Sequence, residues 1–105
     1  MDIDIIQSLV KEKKYRLIPR AENERDADSI AIEEIKDAFL SGKAKIVEDY
    51  PNDPRGESCL ILGFTKQNRP IHIVCGIENS AMLVIITVYR PDPDEWIDWK
   101  ARKGG

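Results

Sequence analysis

The sequence predicts an α+β fold in which N-terminal helices pack on a four-stranded, mainly antiparallel sheet. Two observations lead to this prediction. Apolar residues recur at helical spacing in the first 40 residues, whereas residues 44–89 contain runs rich in β-branched and aliphatic residues. Helices and strands are therefore segregated along the chain, which is typical of α+β proteins.

Two amphipathic helices are predicted before the strands. Residues 1–14 carry Ile3, Ile6, Leu9 and Val10 on one helical face. Residues 30–40 carry a second apolar stripe made of Ile32, Ile35 and Phe39. Between these helices, residues 15–18 form a short strand-like connection, and the polar residues 20–28 have little apolar face for more than a short exposed helix.

Four runs are predicted as strands. The first spans residues 44–50, and the other three span residues 58–66, 69–77 and 82–89. Asparagine tolerates positive φ, so the dipeptides 67–68 and 79–80 are predicted two-residue hairpin loops. The last three runs then form a meander.

The two loop lengths fix the register of the meander. Lys66 then faces Arg69, and Glu78 faces Ala81. One face of the meander becomes wholly uncharged and is the predicted core: Leu60, Leu62, Phe64, Ile71, Ile73, Cys75, Ile77, Met82, Val84, Ile86 and Val88.

The opposite face contains a candidate site around His72, the only histidine of the chain. The predicted register places His72 between Gly63, which leaves space over it, and the hydroxyl of Thr87, with Tyr89 just beyond. A lone histidine in a strand is also commonly a structural hydrogen-bonding residue, and Tyr89 also suits a position that closes the sheet edge. Both interpretations stay open at this stage.

Composition restricts the class of protein. The 105 residues are expected to form a single domain, and 42% hydrophobic with 33% charged residues is typical of soluble globular proteins. The sequence has neither a signal peptide nor an apolar run of about 20 residues, so a cytoplasmic, non-membrane protein is expected. A net charge of −3 and a pI of about 5.2 argue against non-specific nucleic-acid binding by the whole surface.

No complete catalytic or metal-binding motif occurs in the sequence. The register places Cys59 and Cys75 on opposite faces of the sheet, so neither a disulfide nor a thiolate metal site is expected. Gly-rich phosphate loops and nucleophile elbows are also missing, and no cofactor is expected. After the last strand, Trp96 could lie in a short C-terminal helix and share a face with Trp99, covering one side of the sheet.

The order of motifs resembles a family of small prokaryotic domains of unknown function that is considered similar to RelE/ParE-type toxins. In that family a His-Ala helix is followed by a helix ending in Gly, a Pro-Leu-His-Val strand, a Thr-Val-Tyr-x-Pro strand and a Trp. This chain has RPIHIV at 69–74, ITVYRPDPDEW at 86–96 and a matching helix at 30–42. The resemblance implies a RelE-like fold, a zinc-ribbon antitoxin-like partner, and RNA as the substrate of an active member.

One motif of that family is altered. Arg20-Ala21 stands where the family has His-Ala, and a guanidinium cannot act as a base, although it can hold a phosphate. The first hypothesis is a ribonuclease toxin that uses His72, Tyr89 and Thr87 as catalytic residues, with Arg20 or Arg90 on the phosphate. The second hypothesis is a non-catalytic protein-binding module of the same fold, with Trp96 as an interface anchor.

Overall fold

The structure is a computed structural model that describes residues 1–104. It contains three helices on one face of a five-stranded sheet, and a two-stranded hairpin near the C-terminus. The elements are α1 (Ile3–Lys11), β1 (Tyr15–Leu17), α2 (Pro19–Ala27), α3 (Ile32–Leu40), β2 (Lys45–Tyr50), β3 (Ser58–Phe64), β4 (Pro70–Glu78), β5 (Met82–Tyr89), β6 (Trp96–Ile97) and β7 (Ala101–Arg102).

The sheet has the strand order β1-β5-β4-β3-β2. The α+β class and the mainly antiparallel pairing are confirmed, but the predicted strand count of four is wrong because β1 joins the sheet as a fifth strand, parallel to β5. The backbone amide of Leu83 donates to the carbonyl of Lys14 over 2.9 Å, and that of Ile18 donates to Ile85 over 3.1 Å. Residues 15–18 were predicted as strand-like, but so short a segment gives no signal for a partner that lies far along the chain.

The hydrophobic core lies between the helices and one face of the sheet. Apolar residues of α1 and α3 at helical spacing, such as Ile6, Ile35 and Phe39, are buried against it. The strands contribute the fully buried side chains of Cys59, Ile61, Ile71, Ile73, Cys75, Leu83, Ile85 and Val88. We call the opposite side, which carries Leu62, His72 and Tyr89, the outer face.

The predicted register of β3 is wrong by one residue. The β3–β4 loop has three residues, 66–68, and Asn68 takes a left-handed φ of 62°. Thr65 therefore pairs with Arg69, and its amide donates to the Arg69 carbonyl over 2.9 Å. A one-residue shift exchanges the two faces of a strand, so Ile61 lies in the core and Leu62 lies on the outer face.

The β4–β5 connection also differs from the prediction. Asn79 and Ser80 both have positive φ, as the predicted tight turn requires, but strand pairing begins with Glu78 and Met82. A bulge between the pairs at Val74 and Cys75 then shifts the register again. The core face of β4 is as predicted, whereas β5 contributes Leu83, Ile85 and Val88.

The corrected register brings the two cysteines together. Cys59 lies directly opposite Cys75 in the core, where both are buried free thiols. Their predicted placement on opposite faces is wrong for the same reason that the β3 register is wrong.

The C-terminal segment forms a hairpin and not the predicted helix. Trp96 pairs with Arg102, and Ile97 pairs with Ala101. The turn residues Asp98 and Trp99 have φ values of 51° and 64°, which gives a tight turn in place of a helix.

Candidate functional site

Four residues from four strands form a continuous row across the outer face. Lys45 of β2 is opposite Leu62 of β3, which is opposite His72 of β4, which is opposite Tyr89 of β5. His72 and Tyr89 were predicted to lie together on this face. Gly63 was predicted beside His72, but it lies on the helical face, and Leu62 occupies the neighbouring position.

His72 is completely buried and both of its ring nitrogens are hydrogen-bonded. Nε2 lies 2.7 Å from the backbone carbonyl of Trp99, and Nδ1 lies 3.0 Å from the hydroxyl of Tyr89. A carbonyl can only accept, so Nε2 donates to Trp99 and a neutral imidazole then accepts the Tyr89 hydrogen at Nδ1. The hydrogen bonds fix one tautomer of the ring.

The C-terminal hairpin forms the cover over His72. The Trp96 ring meets the imidazole edge-on, with centroids 4.4 Å apart, and is only 4% exposed. The Arg102 guanidinium lies 4.7 Å from the Trp96 ring centroid and donates to both carboxylate oxygens of Glu48, over 3.0 and 3.1 Å. The hairpin is thus attached to β2 by an ion pair and to β4 by aromatic packing.

The electrostatics keep the His72–Tyr89 pair neutral. Burial lowers the pKa of His72 below its ordinary value, although the hydrogen bond to Trp99 and the charge of Glu48 oppose this shift. Burial raises the pKa of Tyr89, and the nearby Glu48 carboxylate adds to this effect against the opposing charge of Arg102. At neutral pH the site therefore holds an uncharged imidazole that accepts from a protonated phenol.

Residues that were not predicted surround this pair. Burial opposes ionisation of Glu48, but hydrogen bonds from Arg102 and Tyr50 keep its pKa below the ordinary value. Burial and the Glu48 carboxylate raise the pKa of Tyr50 to about 12. Trp99, which was predicted to cover one side of the sheet together with Trp96, takes part through its main-chain carbonyl and not through its ring.

The other predicted site residues are dispersed. Thr87 pairs with Val74, beside the β5 bulge and two residue pairs along from the His72–Tyr89 pair. The Arg20 side chain is 62% exposed on the first turn of α2, where its Nε lies 3.5 Å from a carboxylate oxygen of Glu24. No hydrogen bond in residues 1–104 joins Arg20 to His72 or Tyr89.

Arg90 connects β5 to the junction between α2 and α3. Its guanidinium donates to the carbonyls of Asp28 and Ser29 and to the carboxylate of Glu34, and its amide donates to the Asp28 side chain. The hydrogen bond that the Ala31 backbone amide donates to the Glu34 carboxylate and the Arg90 guanidinium together lower the pKa of Glu34, against the effect of burial. Arg90 therefore already has the anionic partner that a phosphate would supply.

A second feature of the outer face is an open groove with a volume of about 260 Å³. Val84 and Ile86 of β5 form part of its apolar floor. Arg16 lies at its border and donates to the Glu78 carboxylate over 2.9 Å. The groove therefore combines an apolar floor with positive and negative side chains at its border, such as Arg16 and Glu78. Residues 1–104 contain no cluster of three or more His, Cys, Asp or Glu side chains that could hold a metal ion.

A family model described as a domain of unknown function, DUF4258, matches residues 20–90. The chain belongs to this family. The DUF4258 region includes His72 and Tyr89 and ends before the hairpin that covers them, and its description carries no link to RelE- or ParE-type toxins. No curated protein and no solved structure matches the chain. Within the described residues, no helix is long and apolar enough to cross a membrane.

Proposed function

We propose that this DUF4258 protein is a non-catalytic protein-binding module. The complete burial of His72 is the observation that carries the proposal. A general acid or base must reach the proton that it transfers, directly or through one water. Both nitrogens of His72 are already hydrogen-bonded within the protein, under the Trp96 ring, and neither faces solvent.

The C-terminal hairpin supports the binding role. Ile97 is 52% exposed, and Trp99 is partly exposed beside it. Large apolar side chains that stay in solvent are common anchors of protein interfaces. Trp96, by contrast, is buried and packs against His72, which holds the hairpin on the sheet. The resemblance given by the sequence suggests the kind of partner, a zinc-ribbon antitoxin-like protein.

A RelE-like ribonuclease is the second candidate, and the 3.0 Å contact between the Tyr89 hydroxyl and His72 favours it. Cleavage of RNA at a 2′-hydroxyl requires one group that takes the hydroxyl proton and another that protonates the leaving oxygen, and His72 and Tyr89 would supply these two proton carriers. Arg20, which is largely exposed, would supply the cation for the phosphate. This function requires the hairpin to move away from His72, because the imidazole is otherwise closed to substrate.

A site-specific photo-crosslinker in growing cells tests the first candidate. Ile97 and Ile5 are equally exposed, at 52% and 51%, but Ile5 lies on α1, away from the hairpin. We expect a discrete protein adduct when the crosslinker replaces Ile97, and none when it replaces Ile5. An adduct at position 97 that ribonuclease digestion removes would contradict the proposal.

Induced expression in a bacterial host tests the second candidate. The wild type is compared with Tyr89→Phe at equal soluble levels, and the purified proteins are incubated with labelled RNA. We expect neither growth arrest nor RNA cleavage from the wild type. Cleavage by the wild type that Tyr89→Phe loses would establish the ribonuclease instead.

A further inference from the structure

The strand β2 forms an edge of the sheet. It pairs with β3 on one side, and among residues 1–104 no other strand pairs with it. The Tyr50 carbonyl accepts a weak turn hydrogen bond from Asp53 at 3.4 Å, but the outward side of the strand has no ladder. An unpaired edge presents backbone donors and acceptors to which another extended chain can add.

The outer-face side of this edge is positively charged. Lys45 begins β2 and stands in the row that contains His72. The hydrogen bond from His72 to the Trp99 carbonyl places the backbone of the next residue, Lys100, beside His72 in the same row. Both lysines are exposed, and within residues 1–104 neither forms an ion pair with a carboxylate.

The hairpin brings Lys100 to the same side of the sheet as Lys45. The Lys100 side chain, desolvation and the repulsion between the two positive charges, in that order of size, lower the pKa of Lys45. The nearest acid of β2 on this face, Glu48, is already neutralised by Arg102. The net charge of the chain is −3, so this concentration of positive charge is local. A carboxylate between the two lysines would remove their repulsion.

The surface favours a peptide over a nucleic acid. Binding of single-stranded nucleic acid relies on aromatic rings on which the bases stack. Trp96 is buried, and the Phe64 ring is covered by the Lys43 ammonium at 5.1 Å from its centroid. Trp99, Tyr50 and Tyr89 are partly exposed, but the hydroxyls of the two tyrosines are bound to Glu48 and His72. A free strand edge, in contrast, matches the hydrogen-bonding pattern of an extended peptide.

We propose that an acidic, extended segment of a partner protein adds to β2 as a further strand and places carboxylates on Lys45 and Lys100. The bulge between Ile46 and Glu48 interrupts the edge, which disfavours long flat pairing with a second copy of this chain. This inference rests on the proposed function, because it names the chemistry of the partner and the strand to which it binds.

Fluorescence anisotropy with a labelled peptide of alternating Glu and Thr tests the inference on the full chain. We expect saturable binding that weakens with added salt. Lys45→Glu and Lys100→Glu should each weaken binding by about fivefold or more, since each replaces an attraction by a repulsion. Lys11→Glu, at an exposed position at the end of α1, should leave the affinity within about twofold, because the charge change is distant.

A second form of the peptide, N-methylated at alternate residues, separates strand addition from simple charge attraction. We expect it to bind at least about tenfold more weakly, because one edge of its backbone can no longer donate hydrogen bonds. Amide hydrogen exchange of β2 should slow only with the unmethylated peptide.

The inference would be overturned by equal binding of both peptides, by lysine-dependent binding of oligouridylate in place of the peptide, or by dimerisation of the chain through β2. If the acidic peptide fails to bind while the protein adduct at position 97 persists, the inference is wrong and the proposed function stands. If the adduct at position 97 is RNA, the proposed function itself is wrong.

Discussion

The substitution Gly63→Ala tests the corrected register through the packing of α3 on the sheet. Gly63 lies on the helical face, and a Cβ atom there would stand 2.9 Å from Cα of Ala38 and closer still to the carbonyl group of that residue. Ordinary van der Waals contacts of a Cβ lie at 3.4–4 Å, so the α3 backbone would have to move away. Ile35 and Phe39, which α3 buries in the core, would move with it.

Overpacking of this kind costs about 1–3 kcal/mol of stability. Because the backbone cannot yield as a flexible side chain does, we expect Gly63→Ala to lower the free energy of unfolding by about 3 kcal/mol. Urea unfolding followed by tryptophan fluorescence measures this loss. The control is Gly42→Ala, where a Cβ meets nothing within 4 Å and the change should be within about 1 kcal/mol. If Gly63 faced His72 with open space above it, as the sequence suggested, Gly63→Ala would be harmless. An unfolding midpoint equal to that of Gly42→Ala would thus refute the register.

Three further predictions concern the outer face and the helix junction. Tyr89→Phe leaves Nδ1 of His72 buried without a donor and should cost about 1–3 kcal/mol in urea unfolding; an unchanged midpoint would show that Nδ1 finds water. Arg90→Met removes charged hydrogen bonds at a mostly buried guanidinium and should cost about 2 kcal/mol, whereas Arg16→Met, at a pair about half exposed, should cost less than about 1 kcal/mol; equal losses would contradict this ranking. Burial lowers the pKa of His72, so His72 takes up a proton more readily in the unfolded chain than in the folded one. The free energy of unfolding should therefore be highest above about pH 6.5 and fall as the pH drops below that value. His72→Phe, compared by urea unfolding between pH 7.5 and 5.5, should lack this slope, and a slope equal to that of the wild type would assign it to another group.

The local patterns predicted the helices and the antiparallel strands well because each rests on a few consecutive residues. The stripe around Ile35 and the β-branched run of β5 are signals of this kind. The register was predicted less well because it depends on loop length. An asparagine is common in two-residue loops and also as the left-handed residue that closes a three-residue loop, as Asn68 does here. The sequence does not distinguish the two loops. One residue of difference in that loop placed Gly63 and Cys59 on the wrong face.

The site was predictable only in the part that lies within neighbouring strands. His72 and Tyr89 were placed on one face because β4 and β5 are adjacent. The changed turn and the bulge each shift the register by one residue, so both residues stay on that face and Tyr89 takes the place opposite His72 that was predicted for Thr87. The cover over them depends on a backbone carbonyl and on an ion pair between Glu48 and Arg102, which are 54 positions apart. Neither leaves a pattern that a single sequence reveals. That cover decides whether His72 can meet a substrate. The same pair of residues therefore suggests catalysis in the sequence, whereas in the structure it is closed and hydrogen-bonded beneath the C-terminal hairpin.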